Sequence, residues 1–451
     1  MKRFRLILLL LFVIAFVVFT IFAVLSERRR VVTMAEIEVS PELVFHEKLA
    51  KAMADQDDGA QVPPPPELQP ALDTIEAWKA LFQRKKDEVD EAEWDAVAGL
   101  WYEANIWENL SPEEMIQIGA FLDGHRDFFV ELRRVAAMGG PMAAISGPLK
   151  NYAIHMFDAR YTARMLAWDT IYQARTGNSD LAISDAIAGF QLAAALAPEP
   201  DLMAQGARFG CTLTAYQAVL ESFPPGTLSD TDTARLIHEV QKDPGRAPLG
   251  PALEAFVVSG LDELNAMLEI GWVERYTEMG LTTSFSSSPL LQKAGQFAYA
   301  SPLARPWLNK DIANVSEAVS RVIKVAHLPY HDARRQYDEP EVVFSPYTSL
   351  YAQFTFQYLA RQARHEVHLQ LLQLGLTLEQ YSAPPASLDA LSTKFPEETL
   401  IDPFTGDHFI YRPEGDSFLL YSVGRNLRDD AARHDYSNGD IVWRGKTGRR
   451  D

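Results

Sequence analysis

The chain has 451 residues, of which 47% are hydrophobic and 23% charged, so its composition is that of a folded protein and excludes wholesale disorder. The 61 acidic residues outnumber the 42 basic ones, and the net charge of -19 argues against nucleic-acid binding by the chain as a whole. A single cysteine, Cys211, excludes an intramolecular disulfide framework and a cysteine-rich zinc site.

The amino terminus departs from this acidic balance. Residues 1–30 contain six basic residues against Glu27 alone, which leaves a net charge of −24 on the rest of the chain. Between the two basic clusters, Leu6–Leu25 has no charge and no proline, and its length at ~1.5 Å per residue matches the bilayer core of ~30 Å. We predict an uncleaved, single-pass anchor in the bacterial inner (cytoplasmic) membrane, with the bulk of the chain in the periplasm.

Composition and periodicity divide the chain into four predicted parts. These are a transmembrane anchor with basic flanks (1–30), a juxtamembrane helix and Pro-rich spacer (31–70), a helical body (71–344) and a carboxy-terminal α+β module (345–451). Within the second part we predict a helix over 34–54. The run Pro63–Pro66 favours an extended polyproline spacer, with a proline-rich recognition peptide as the alternative.

The body carries helical periodicity and capping signals. Ser111-Pro112-Glu113-Glu114 is a capping box, and we predict that the helix it begins continues to Gly139. Further helices are predicted over 152–174, 179–197 and 202–220. Apolar stripes and short polar turns favour stacked antiparallel helix pairs. Residues 271–310 are irregular and rich in aromatic residues, which fits loops packed on helices or a ligand groove.

The carboxy-terminal module changes its periodicity from helix to strand. A long helix is predicted from Ser345 to the segment before Pro384, followed by a short helix over 388–391 that Ser387 caps. Beyond residue 400, we predict a hairpin of strands 409–411 and 418–421, with its turn at 413–416, and a third strand over 441–443. The predicted fold is therefore mainly α, with a transmembrane helix, a body of α-helical hairpins and a short antiparallel sheet.

No catalytic motif is present. His365-Glu366-Val367-His368 lacks the His-Glu-x-x-His spacing of zinc peptidases, and hydrogen-bonded or solvated helix surface is the favoured interpretation, with a metal pair as the alternative. Cys211 lies among apolar residues and is predicted to be a buried small hydrophobe. There is no nucleophile elbow, phosphate loop or dinucleotide fingerprint, so we name no catalytic or cofactor-binding residue.

The last loop is the candidate metal site. Asp429, Asp430 and Asp440 supply the hard oxygen ligands that Ca²⁺ prefers. Arg425 and Arg428 lie in the same stretch, so ion pairing within a polar loop is the alternative.

Several short motifs of the module occur in a recognisable order. They are Leu374 to Tyr381, Pro384-Pro385, Asp402-Pro403-Phe404-Thr405-Gly406, Phe409 to Arg412, Phe418 to Gly424 and Asp440 to Trp443. This order resembles the globular end of the major pseudopilin of type II secretion. The resemblance implies a structural calcium in the last loop, with Asp440 at the family's closing acidic position and Asp429 and Asp430 as substitute ligands. The pseudopilin processing site does not occur in Leu6–Leu25, so the resemblance does not imply filament assembly.

The helical part also resembles large predicted envelope proteins of planctomycete-type bacteria, through Asp180 to Phe223 and its Ala-Pro-Glu-Pro corner. We therefore expect a non-enzymatic envelope scaffold or interaction protein, linked to a type II secretion-like machine, with other envelope proteins as partners. The alternative is a periplasmic hydrolase with a site in the body near His327, His331 or His365.

Overall fold

The structure is a computed structural model that describes residues 41–57, 64–90, 92–94, 96–97, 111–143, 153–256, 317, 320–337, 346–433 and 439–447. The predicted anchor Leu6–Leu25 and the aromatic-rich stretch 271–310 lie outside these residues. Among the described helices, none combines the length and the apolar composition that crossing a bilayer requires.

The first four described helices are α1 (Pro41–Asp57), α2 (Gln69–Glu88), α3 (Pro112–Gly124) and α4 (Arg126–Ala136). The capping box is confirmed: the Glu114 amide donates to Ser111 Oγ at 3.2 Å, and the Ser111 amide donates to Glu114 Oε2 at 2.7 Å. The single helix predicted to continue to Gly139 is wrong. The chain breaks after Gly124, because His125 leaves the helical conformation with φ −115° and ψ 22°.

The next helices are α5 (Ala153–Arg175), α6 (Ser179–Ala195), α7 (Leu202–Ser222) and α8 (Asp230–Val240). Helices α5, α6 and α7 agree with the helices predicted over 152–174, 179–197 and 202–220 to within a few residues, whereas α8 was not predicted. Gly177 provides the left-handed turn between α5 and α6, with φ +87°, and Asp201 caps α7 by accepting from the Ala204 amide at 2.8 Å. Helices α5, α6 and α7 pack against one another. Their pairing as antiparallel hairpins stays a prediction.

The carboxy-terminal half contains α9 (Tyr330–Gln336), α10 (Pro346–Glu379), a 3₁₀ helix (Leu388–Leu391) and α11 (Glu397–Leu400). Its sheet is formed by β1 (Ile410–Glu414), β2 (Ser417–Ser422) and β3 (Ile441–Lys446). The strands are antiparallel in the order β1-β2-β3. The mainly helical fold with a small three-stranded sheet is confirmed.

Helix α10 connects the sheet to the helical body. It packs on α7 and α8 on one side and on β2 and β3 on the other, so that a single hydrophobic core extends from Ile183 to Trp443. At Gly375 of α10, a Cβ atom would lie 2.3 Å from the Trp443 ring of β3. Helices α2 to α7 enclose a second core, and a smaller one joins α1 to α2.

Candidate functional site: a basic cleft over a buried ion network

A cleft of about 470 Å³ opens between α5, α7 and α10. Helix α7 forms its floor with small and apolar residues, including Gly206 and Gly210, which lie one turn apart. The exposed side chains of Phe157 on α5 and Met203 on α7 also line the cleft. The remaining lining residues are Met156, Arg160, Ala207, Phe209, Leu213, Tyr358, Arg361, Arg364, His365 and His368.

The charge of the cleft is opposite to that of the chain. Arg160, Arg361 and Arg364 line it, and none of its described lining residues is acidic. The Arg361 guanidinium lies over the Tyr358 ring, 5.1 Å from its centroid, which holds the side chain against the cleft wall. Burial raises the pKa of Tyr358, so its hydroxyl stays neutral.

His365 joins the cleft wall to a network of buried charges. Its Nε2 atom lies 3.1 Å from Asp243 Oδ1 and 3.1 Å from Arg208 Nη2. Arg208 is fully buried on α7 and makes an ion pair with Asp243. Burial lowers the pKa of His365, and Arg208 acts in the same direction against the opposing Asp243 carboxylate. The ring is therefore neutral at neutral pH, and its buried Nδ1 has no hydrogen-bond partner among the described residues.

The same network fastens the turn after α8 to α10. Arg246 makes a two-point contact with Glu366, with Nε–Oε1 at 2.8 Å and Nη2–Oε2 at 2.9 Å. Arg208 and Gln362 both donate to the Gly245 carbonyl at 3.1 Å. These contacts satisfy charged groups that would be costly to bury alone.

These contacts change the interpretation of the His365–His368 motif. Only 2% of His365 and 3% of His368 is exposed, so the prediction of a solvated helix surface is wrong, whereas its hydrogen-bonded alternative holds for His365. Both residues are covered because α10 is surrounded by the body and the sheet. Within the described part of the chain, no three side chains of the metal-binding types are grouped to hold an ion.

Two further polar clusters lie inside the helical body. Arg133 on α4 pairs with Asp185 on α6 and, at 3.5 Å, with Asp169 on α5. Burial and the neighbouring Asp169 raise the pKa of Asp185, which favours a proton shared between the two carboxyl groups. The buried Glu199 accepts from the Ala143 amide at 3.1 Å and contacts His155 at 2.9 Å.

Glu379, at the end of α10, joins the body to the sheet. Its Oε1 accepts from the Trp443 indole at 3.1 Å, and its Oε2 accepts from the Gly226 amide at 2.9 Å. Burial raises the pKa of Glu379 to about 7, against the effect of these two donors.

The three predicted calcium ligands lie in one loop, and each accepts hydrogen bonds from a different set of donors. Asp429 contacts Arg412 and Tyr421, each at 3.0 Å, and Asp430 accepts from the Asn426 amide group at 2.8 Å. The Asp440 carboxylate accepts from the Asp430 amide at 3.3 Å and from the Ala432 amide at 2.8 Å. Residues 434–438 of the loop lie outside the described residues.

The carboxylates of this loop lie close enough to repel one another. Burial raises the pKa of Asp440, and the nearby Asp430 and Asp429 carboxylates raise it further. A bound cation would relieve this repulsion, but two backbone donors already hold the Asp440 oxygens. Calcium binding by Asp429, Asp430 and Asp440 stays a prediction.

The motifs of the pseudopilin resemblance contact one another. The Tyr411 hydroxyl donates to the Pro385 carbonyl at 3.0 Å, which joins β1 to the Pro384-Pro385 segment after α10. Asp402 accepts from the Phe404 amide at 2.9 Å and from Ser422 on β2. Burial raises the pKa of Asp402 to about 6. These residues hold the α+β module together.

The histidines of the hydrolase alternative lie in different settings. His327 is exposed, whereas His331 packs against the turn at Gly406 and its amide donates to the Pro403 carbonyl at 3.1 Å. Only His365 lines the cleft. Cys211 is buried, which raises the pKa of its thiol to about 12 and confirms its predicted role as a small hydrophobe.

Comparison with known proteins gives no match: no family profile, no curated protein and no solved structure is significantly similar to this chain.

Sequence reasoning missed the cleft and its network. Arg208 is the one basic residue of α7 and is fully buried, and the pair Gly206 and Gly210 marks a helix face without side chains. Both are local signals, but the partners Asp243 and His365 lie 35 and 157 residues away from Arg208.

Proposed function

We propose that the chain is a single-pass inner-membrane protein whose ectodomain is a non-enzymatic scaffold of the bacterial envelope. Leu6–Leu25 would anchor it, and the periplasmic body would bind other envelope proteins, with a type II secretion-like machine as the candidate partner. The anchor, the location and the partner rest on the sequence and on the pseudopilin resemblance.

The observation that carries the proposal is the shared core around α10. A module that resembles the head of a pseudopilin is packed on the helical body through Gly375 and Trp443. Glu379 adds hydrogen bonds to the sheet and to the Gly226 turn of the body. A continuous core of this kind presents the module in a fixed orientation, which is what a scaffold requires.

The use of the buried charges also supports a structural role. Arg208 with Asp243, Arg246 with Glu366, and Arg133 with Asp185 each join two helices or a helix and a turn. In this proposal, the three pairs hold the packed elements in one arrangement. A structural calcium in the loop of Asp429, Asp430 and Asp440 is part of the same proposal, with the ion fastening the loop.

The hydrolase alternative has one observation in its favour. His365 lines the cleft and is oriented by a carboxylate, Asp243, as a histidine general base commonly is. The described lining of the cleft contains no serine, threonine or cysteine, so a water molecule would have to be the nucleophile. The test uses model acyl esters, phosphate esters and glycosides as substrates. Hydrolysis that is lost in His365→Gln while the fold is retained would favour this alternative.

Photo-crosslinking in the native envelope tests the scaffold proposal. A photoreactive residue is placed at Ile116 on α3 or at Leu427 in the last loop, where 72% and 40% of the side chain is exposed. The full chain is compared with one in which Leu6–Leu25 is deleted. We expect adducts with envelope proteins that require the anchor; adducts with cytoplasmic proteins, or none beyond background, would contradict the proposal.

A further inference from the structure

We propose that the cleft between α5, α7 and α10 binds a single-chain amphiphile with an anionic head, of the acyl carboxylate class. The inference rests on the shape and charge of the cleft and does not depend on the scaffold function.

The part of the cleft that α7 forms is lined by small and apolar residues. Gly206 and Gly210 leave the surface of α7 without side chains; a Cβ atom at Gly210 would lie 3.6 Å from Arg160 Nε, and one at Gly206 would lie 3.2 Å from the Tyr358 hydroxyl. Beside this floor, Phe157 and Met203 expose 55% and 51% of their surface. Exposed apolar side chains around a concave surface are typical of a ligand groove.

The charged side chains of the cleft are basic. The chain carries an excess of acidic residues, yet the charged side chains that line the cleft are Arg160, Arg361 and Arg364. Arg160 has no hydrogen bond or ion pair with any described residue, so its guanidinium is available to a ligand. Guanidinium groups bind carboxylates through paired hydrogen bonds, so Arg160 favours a ligand with an anionic head.

The volume of the cleft fits a small-molecule ligand. Its volume of about 470 Å³ lies within the range of ~300–1,000 Å³ that is usual for small-molecule sites. One acyl chain on the apolar lining with its carboxylate at Arg160 accounts for both the apolar and the basic residues of the cleft. A cationic or uncharged amphiphile of equal length would not satisfy the Arg160 guanidinium.

Photolabelling of the full chain in lipid nanodiscs tests the proposal. The probe is a diazirine-bearing dodecanoate, and the labelled residues are located by peptide mass spectrometry. We expect labelling on α5, α7 and α10 that unlabelled dodecanoate displaces and dodecyltrimethylammonium does not. Competition by octanoate, decanoate and dodecanoate should strengthen about fourfold per added methylene, because each buried methylene contributes a free energy of that size.

Three variants separate the cleft from general lipid contact. Replacing Arg160 and Arg361 together with glutamine should reduce cleft labelling about tenfold or more, since it removes charge-assisted hydrogen bonds. Gly210→Leu should reduce it by filling the floor. The matched control is Arg335→Gln on α9, outside the cleft, which should leave labelling unchanged.

Each variant is checked for an unchanged far-ultraviolet spectrum and melting temperature. Labelling confined to the anchor, equal competition by the cationic amphiphile, or an equal loss in Arg335→Gln would each overturn the proposal.

Discussion

Gly375→Ala on α10 is expected to destabilise the protein, although alanine is the better helix former. The new Cβ would lie 2.3 Å from Cε2, 2.4 Å from Cδ2 and 2.5 Å from Nε1 of Trp443, so either the indole or the helix must move. Trp443 is 3% exposed and its indole donates to Glu379, so a shift of the ring weakens a buried hydrogen bond as well as the packing.

The magnitude follows from three opposing contributions. Overpacking a core costs about 1–3 kcal/mol. Weakening the Trp443–Glu379 hydrogen bond adds about 1 kcal/mol or more, and the gain in helix propensity offsets about 1 kcal/mol. We therefore expect a loss of about 2 kcal/mol in the free energy of unfolding.

Urea unfolding followed by tryptophan fluorescence and circular dichroism measures this loss. The matched control is Gly210→Ala on α7, where the new Cβ would make only an ordinary contact at 3.6 Å, so stability should be unchanged or slightly raised. Adding Trp443→Leu to Gly375→Ala should cost less than the sum of the single changes, because the smaller side chain relieves the clash. If Gly375→Ala were as stable as Gly210→Ala, the described packing of the sheet on α10 would be refuted.

Three further outcomes are expected. The pKa of Glu379 is raised from 4.5 to about 7 in the folded chain, so its contribution to stability is complete below about pH 4.5 and is lost as the pH rises through 7. Glu379→Gln should therefore make the melting temperature less dependent on pH between pH 5 and 8. Arg208→Met should cost about 3–5 kcal/mol in urea unfolding, because it leaves Asp243 without its guanidinium partner, whereas Arg235→Met at an exposed pair should cost less than about 1 kcal/mol; equal losses would contradict the network. Calcium should raise the melting temperature relative to chelator, and Asp440→Asn should abolish the difference; no shift in the wild type would refute the calcium prediction.

The elements of the fold were predictable where one local signal decided them. The apolar stripe of α10 and the two apolar runs that flank the turn between β1 and β2 are local patterns. The Ser111 capping box marks the start of its helix without help from other elements. The break after Gly124 was missed, because the periodicity on its two sides is compatible with one continuous helix.

The cleft could not be predicted, because its residues come from three helices that are distant in the sequence. Arg160, Gly210 and Arg361 each fit an ordinary position on a helix, and only their packing places them around one space. The burial of His365 was missed for the same reason, because it depends on packing between distant elements. Charged neighbours such as Arg364 and Glu366 indicate a surface helix, whereas α10 packs against both the body and the sheet.

The scaffold proposal depends on whether the ectodomain contacts other envelope proteins while it is anchored in the membrane. Photo-crosslinking from Ile116 and Leu427 in intact cells, with and without Leu6–Leu25, measures this directly. The account predicts adducts with periplasmic or inner-membrane proteins that disappear when the anchor is deleted. Adducts with cytoplasmic proteins, or the same adducts without the anchor, would contradict it.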